Sequence, residues 1–275
     1  MSGHIAIEGL HLRVGQGAQA FEAVQDVSLN VAPGEFVCLL GPSGCGKSTL
    51  LGALAGHLKP SRGGIRVDGR AIAGPHAERG LVFQHHTLFP WRKVVDNVAF
   101  GLKMQGVPRA ERRRRALELL ALVGLEEFAG HYPSQLSGGM KQRVEIARVL
   151  INHPRVMLMD EPFGALDAQT RLMMQQLLLD LWGRIRTTIV FITHDIDEAL
   201  FLADRILVMS PRPGRIIDEI QVPFPRPRDP SLVTSPAFTE LKRRCLQLLH
   251  PSSRGMPLVR LTPLGEIPLP HLQYA

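Results

Sequence analysis

A buried strand that runs into a glycine loop and leaves it as a helix is compatible with few folds, and FVCLLGPSGCGKSTLLGALAG, Phe36 to Gly56, reads as that unit. The turn fits G-x-x-x-x-G-K-[ST] from Gly41 to Ser48 without deviation. Glycines let the backbone curl around phosphates, Lys47 can neutralise the β and γ groups, and the Ser48 hydroxyl can ligand Mg²⁺. Gly41, Pro42, Ser43, Gly44, Cys45, Gly46, Lys47, Ser48 and Thr49 are therefore the candidate nucleotide cradle. A plain glycine turn before a helix is the alternative, and the flanking strand and helix weigh against it.

The rest of the chain repeats the alternation. HIAIEGLHL and AVQDVSLNV read as strands before the turn APGE, and GGIRVDGRAI reads as a short hairpin. From about residue 85 to 154 the texture is helical: VVDNVAFGLKMQ, RAERRRRALELLALVGL and GGMKQRVEIARVLI. VMLMD and TTIVFITHD are continuously apolar, as strands buried on both faces are. DIDEALFLADR then reads as an amphipathic helix, and ILVMS and GRIIDEI as final strands. The expected fold is α/β, with a mainly parallel sheet core, an amino-terminal antiparallel β part and an inserted helical subdomain.

The expected division is one nucleotide-binding domain over 5–222, with its core at about 5–84 and 155–222 and the helical part at 85–154. A proline-rich extension over 223–275 follows. It carries one helix near 236–249, with Pro236 in the first turn and Phe238, Leu241, Cys245, Leu248 and Leu249 on one side. The prolines beyond His250 point to a loose tail.

The formal charge of +7 raises the question of nucleic acid, but it is concentrated in Arg109, Arg112–Arg115 and the extension. On a helix those arginines point in different directions and give a solvated face rather than a phosphate-reading stripe. Aromatics at 5% supply few stacking platforms, so nucleic acid is disfavoured. The amino terminus lacks a secretory signal pattern, and no run is long and apolar enough to span a membrane. Cys38, Cys45 and Cys245 have no metal-ligand spacing and fit a reducing cytoplasm.

Further candidates lie outside the loop. Asp160 and Glu161 end the buried strand VMLMD, where open α/β sheets place ligands. Such a pair is ordinarily a helix cap, but with the glycine loop it can orient a metal and polarise a water. SQLSGGMKQR, Ser134 to Arg143, is a second glycine-paired helix start, on its own an ordinary cap and turn. His194 follows a strand, and Gln84 is a lone amide. His85 and His86 are adjacent but lack further ligands and make a poor metal site. For Cys45 a small residue tolerated in a turn is the plain reading, and its alkylation is expected to block nucleotide entry sterically.

In this order the motifs resemble those of the ATP-binding subunits of ABC transporters, over about residues 5 to 222. LSGGMKQR resembles the family's signature motif, Gln84 in LVFQ its Q-loop glutamine, Ala165-Leu166-Asp167 its D-loop and His194 in ITHD its switch histidine. The resemblance implies ATP and Mg²⁺ as cofactors, with Ser48, Gln84 and Asp160 at the metal and Glu161, His194 and Gln84 in catalysis. It also implies a head-to-tail homodimer. Each ATP then lies between the glycine loop of one copy and Ser137, Gly138 and Gly139 of the other, near Asp167, which answers why one chain carries two glycine-paired helix starts. The family commonly stacks adenine on an aromatic residue before the loop. The equivalent here is Val14, with Phe21 the only nearby ring.

HHTLFPWRKVVDNVAFGL, RPGRI at Arg212 to Ile216 and RPRDP resemble the nitrate, sulfonate and taurine importer group. That resemblance implies a peripheral ATPase on the cytoplasmic face of the inner membrane, working with two membrane-spanning permease subunits and a solute-binding protein. Leu88, Phe89, Pro90 and Trp91 form a candidate dock for another protein, core packing being the alternative. A soluble ABC ATPase acting on DNA or ribosomes is the second reading. The long coiled-coil insertions, zinc sites or fused ATPase units usual there are not visible.

Overall fold

The computed structural model describes residues 2–15 and 17–249; the tail expected beyond His250 lies outside them. In chain order the strands and helices are β1 (Ile5–Val14), β2 (Phe21–Val31), β3 (Phe36–Leu40), α1 (Lys47–Ala55), β4 (Arg62–Val67), β5 (Arg70–Ala71), β6 (Arg79–Val82), α2 (Val94–Val98), α3 (Phe100–Met104) and α4 (Arg109–Leu122). Then come α5 (Gly138–Leu150), β7 (Val156–Asp160), α6 (Ala168–Ile185), β8 (Thr188–Thr193), α7 (Ile196–Leu202), β9 (Arg205–Met209), β10 (Ile216–Gln221) and α8 (Pro236–Leu249).

A six-stranded sheet has the order β10-β9-β3-β8-β7-β6, parallel except for the antiparallel β10–β9 pair. A four-stranded antiparallel sheet has the order β2-β1-β4-β5. Strand alternation explains why β3, β7 and β8 are apolar throughout. Phe36, Cys38, Met157, Met159, Ile189 and Phe191 face a core shared with the helices. Val37, Leu39, Val156, Leu158, Val190 and Ile192 face α1 and the antiparallel sheet. Val94, Leu102, Leu120 and Ile146 of the helical stretch belong to the first core.

VVDNVAFGLKMQ folds as two short helices, α2 and α3. Ala99 between them keeps right-handed dihedrals (φ −69°, ψ −4°), so the chain path is little interrupted. α6 is not among the elements expected from the sequence, although its buried Met174, Leu178, Leu181 and Trp182 recur at helical spacing. In α4, Arg114 and Arg115 pair with Glu111 on the solvent side.

The extension is tied to the core by its arginines. Arg226 pairs with Asp204 at 2.7 Å and lies over the Trp182 ring at 4.3 Å. Arg228 is buried and donates to the carbonyls of Leu200 and Phe201 at the end of α7; burial pulls its guanidinium down to about 10. On α8, Phe238 and Cys245 are buried, Phe238 stacks on Phe224 at 5.8 Å, and Lys242 pairs with Asp197 of α7.

Candidate functional site

The loop between β3 and α1 is built for close approach. Gly44 (φ 74°) and Gly46 (φ 103°) take left-handed backbone that other residues rarely adopt. At Gly46 a Cβ would also stand 2.7 Å from the Ala23 carbonyl oxygen. Lys47 is 5% exposed, and its ammonium donates to the carbonyls of Gly41 at 2.7 Å and Pro42 at 3.0 Å. Cys45 is 1% exposed, with its side chain in the core against α1 and the antiparallel sheet. That corrects the alkylation expectation: a reagent does not reach the thiol in this fold, and any contact of position 45 with a nucleotide comes from its backbone.

The carboxylates arrive from the end of β7. Ser48 donates its hydroxyl to Asp160 Oδ1 at 3.1 Å. Burial raises the Asp160 carboxyl above the usual aspartate range, against the lowering hydrogen bond from Ser48. Glu161 sits at φ 43°, unusual for a residue with a Cβ, and its backbone N–H donates to the Ile192 carbonyl at 3.0 Å. Its Oε2 lies 3.0 Å from Nδ1 of the exposed His194, at the end of β8. Backbone held in a sparsely populated region recurs at functional sites.

A cleft of about 310 Å³ gathers these groups: Ser43, Gly44, Gly46, Lys47, Ser48, Thr49, Gln84 and Glu161 line it, together with Val14, Phe21, Ala23 and Arg212. The hydroxyl of Ser48, carboxylate of Asp160 and amide of Gln84 are hard oxygen donors, and Mg²⁺ is held by one or two such groups plus phosphates and water. Among the described residues no group of three His, Cys, Asp or Glu could hold a metal without such help. The donor set therefore fits Mg²⁺ carried with a triphosphate.

Ser137, Gly138, Gly139 and Asp167 do not line this cleft. Ser137 caps α5, accepting from the Met140 N–H at 3.3 Å, and both Ser137 and Gly138 are exposed. Gly139 is buried, and a Cβ there would meet Thr170 of α6 at 2.7 Å. Asp167 caps α6, accepting from the Thr170 N–H at 3.0 Å, which holds its carboxyl below the usual range. Of the expected dock, Leu88 is core and Phe89 packs edge-on against Phe100 at 4.7 Å, whereas Trp91 is 71% exposed.

Comparison with known proteins decides the family. The ABC transporter family description matches residues 24–164. The taurine import ATP-binding protein TauB of Rhizobium johnstonii is 53% identical, the match covering 83% of this chain and 89% of that protein. The chain belongs to the ABC transporter ATP-binding family. Nitrate import ATP-binding protein NrtD of Synechocystis is also 53% identical, over 74% of this chain and 76% of that one. The dimeric post-hydrolysis structure of the ATP-binding cassette MJ0796 bound to ADP and Pi superposes with a TM-score of 0.70 at 35% identity, over 80% of this chain and 99% of that one. As an ABC ATP-binding subunit the chain is a P-loop ATPase with ATP and Mg²⁺ as cofactors. Arg212 and Ala23 are lining residues that the sequence does not point to: RPGRI lies far along the chain from the glycine loop, and only tertiary packing brings it in.

Proposed function

We propose that this chain is the energy-coupling ATPase of an importer for taurine, nitrate, a sulfonate or a related small solute. It works as a homodimer on two membrane-spanning subunits at the cytoplasmic face of the inner membrane. Relatives that are importer subunits support the transport reading. Among the described residues no helix is long and apolar enough to cross a membrane. Exposed Trp91, beside the Gln84 loop, offers an apolar contact for the membrane-spanning subunits.

The observation that carries the dimer is the separation of the two glycine-paired helix starts. Lys47, Ser48 and Glu161 line one cleft, while Ser137 and Gly138 stand exposed and outside its lining. A helix amino terminus bares N–H groups and partial positive charge, and exposed glycine permits close approach by a partner's γ-phosphate. In this reading Lys47 holds the β and γ groups, and Ser48, Asp160 and Gln84 hold the metal, which when bound neutralises phosphate charge. Glu161 takes the proton of the attacking water, His194 orients Glu161 and the γ-phosphate, and Asp167 acts across the interface. Phosphoryl transfer asks of the protein mostly placement and electrostatics, which this constellation supplies.

Affinity purification from membranes tests it. Recovery with a multi-span protein, whose associated receptor then binds taurine or nitrate in a solute screen, is the expected result. Recovery with ribosomes or DNA and no membrane protein contradicts it.

A further inference from the structure

Beyond the phosphate loop, the cleft is lined by Val14 of β1 and Phe21 of β2. Val14 is paired across the antiparallel sheet with Phe21, and directly opposed residues of paired strands project from the same face. Phe21 lines the same cleft as the phosphate loop and is 38% exposed, so its ring is open to the cleft. Over its ring, 4.3 Å from the centroid, lies the guanidinium of Arg212.

Arg212 is held there by a loop fitted to the phosphate loop. Its Nε donates to the Gly44 carbonyl at 3.3 Å. Gly214 donates to the Ala23 carbonyl at 2.9 Å, and a Cβ at Gly214 would fall 2.0 Å from the Cys45 carbonyl oxygen, so the loop seats directly on the phosphate cradle. Ser210 closes the same loop through its Oγ to Pro213 O at 3.0 Å.

We infer that Phe21 and Arg212 bind the nucleobase, Phe21 as the stacking ring and Arg212 as the plane that closes over the base from the other side. At 4.3 Å the guanidinium rests on the ring with no space for a base between them. Entry of a nucleotide therefore lifts Arg212 by one base thickness, releasing its long hydrogen bond to Gly44. Bases stack readily both on aromatic rings and on guanidinium planes. Such a clamp reads the π-face and not the base edge, so it binds adenine and guanine with similar strength. The ring thus comes from β2, across the sheet from Val14, and the arginine comes from the β9–β10 loop. This inference rests on the ATPase reading, and the experiment separates the two.

Calorimetric titration of the full chain with ATP, GTP and inorganic tripolyphosphate tests it. The wild type is expected to bind ATP and GTP alike and more tightly than tripolyphosphate. Phe21→Ala should weaken both nucleotides on the order of tenfold and leave tripolyphosphate unchanged; Arg212→Ala should act the same way more weakly. Phe21→Trp, which keeps a ring should Phe21→Ala not fold, should bind ATP as the wild type does, with its indole emission changed by ATP and not by tripolyphosphate. If Phe21→Ala keeps the full margin of ATP over tripolyphosphate, or loses both ligands equally, or if the Phe21→Trp emission ignores ATP, the base clamp is wrong. If the wild type binds neither ATP nor tripolyphosphate, and Lys47→Ala changes nothing, the ATPase reading itself has failed.

Discussion

Glu161 and Asp160 are neighbours in the chain with different surroundings. Glu161 lines the cleft beside His194 and is the base of the proposed mechanism, and loss of a general base typically costs a factor of ~100 to 10,000. Glu161→Gln is therefore expected to bind ATP normally and hydrolyse it at least ~100-fold more slowly, in a phosphate-release assay; near-normal turnover would exclude Glu161 as the base. Asp160 is half-buried, and burial raises its pKa above the ordinary 3.8. Folding thus favours its protonated form: that contribution is full below the unfolded value and is lost as pH rises through the raised folded value. Asp160→Asn should then melt higher than the wild type at neutral pH, an advantage that fades on acidification through the carboxylate range, while Mg²⁺-dependent hydrolysis is lost. A lower melting temperature at neutral pH would mean that the Ser48 hydrogen bond outweighs desolvation.

Among the elements, those that place the cradle were the most legible. β3, β7 and β8 announce themselves because both faces are buried, which leaves continuous apolar runs. The capping residues Ser137 and Asp167 sit where the motifs put them, although their local work as caps says nothing about a partner. Less legible was whatever depends on tertiary packing: the short edge strand β6, the burial of Cys45 beneath its own loop, and the anchoring of the proline-rich segment through Arg226 and Arg228. No local pattern tells which of a chain's arginines will find a tryptophan face or a helix end. The helix α8 was legible through the spacing of Phe238, Leu241 and Cys245, but its docking against α7 was not. Because Phe238 is buried and stacked on Phe224, Phe238→Ala should destabilise the fold by about 3 kcal/mol or more in urea denaturation. An unchanged midpoint would mean that α8 is an independent appendage.

For the whole molecule, the separation of the two glycine-paired helix starts is the basis of the proposed dimer, in which a single copy is an incomplete machine and a twofold pair supplies two composite sites from one interface. In that proposal ATP acts as the joint between copies, and its hydrolysis as the release. Gly138 offers a clean probe, since a Cβ there meets only the Leu166 side chain at an ordinary 3.7 Å and the fold should tolerate a substitution. An aspartate at that position would set a negative charge against the partner's γ-phosphate. Sedimentation of the Glu161→Gln chain with saturating ATP should move from the 30.4 kDa monomer to twice that mass. Adding Gly138→Asp should return it to the monomer with ATP still bound. A chain that stays monomeric when saturated with ATP, or a dimer indifferent to Gly138→Asp, would contradict the shared-nucleotide account.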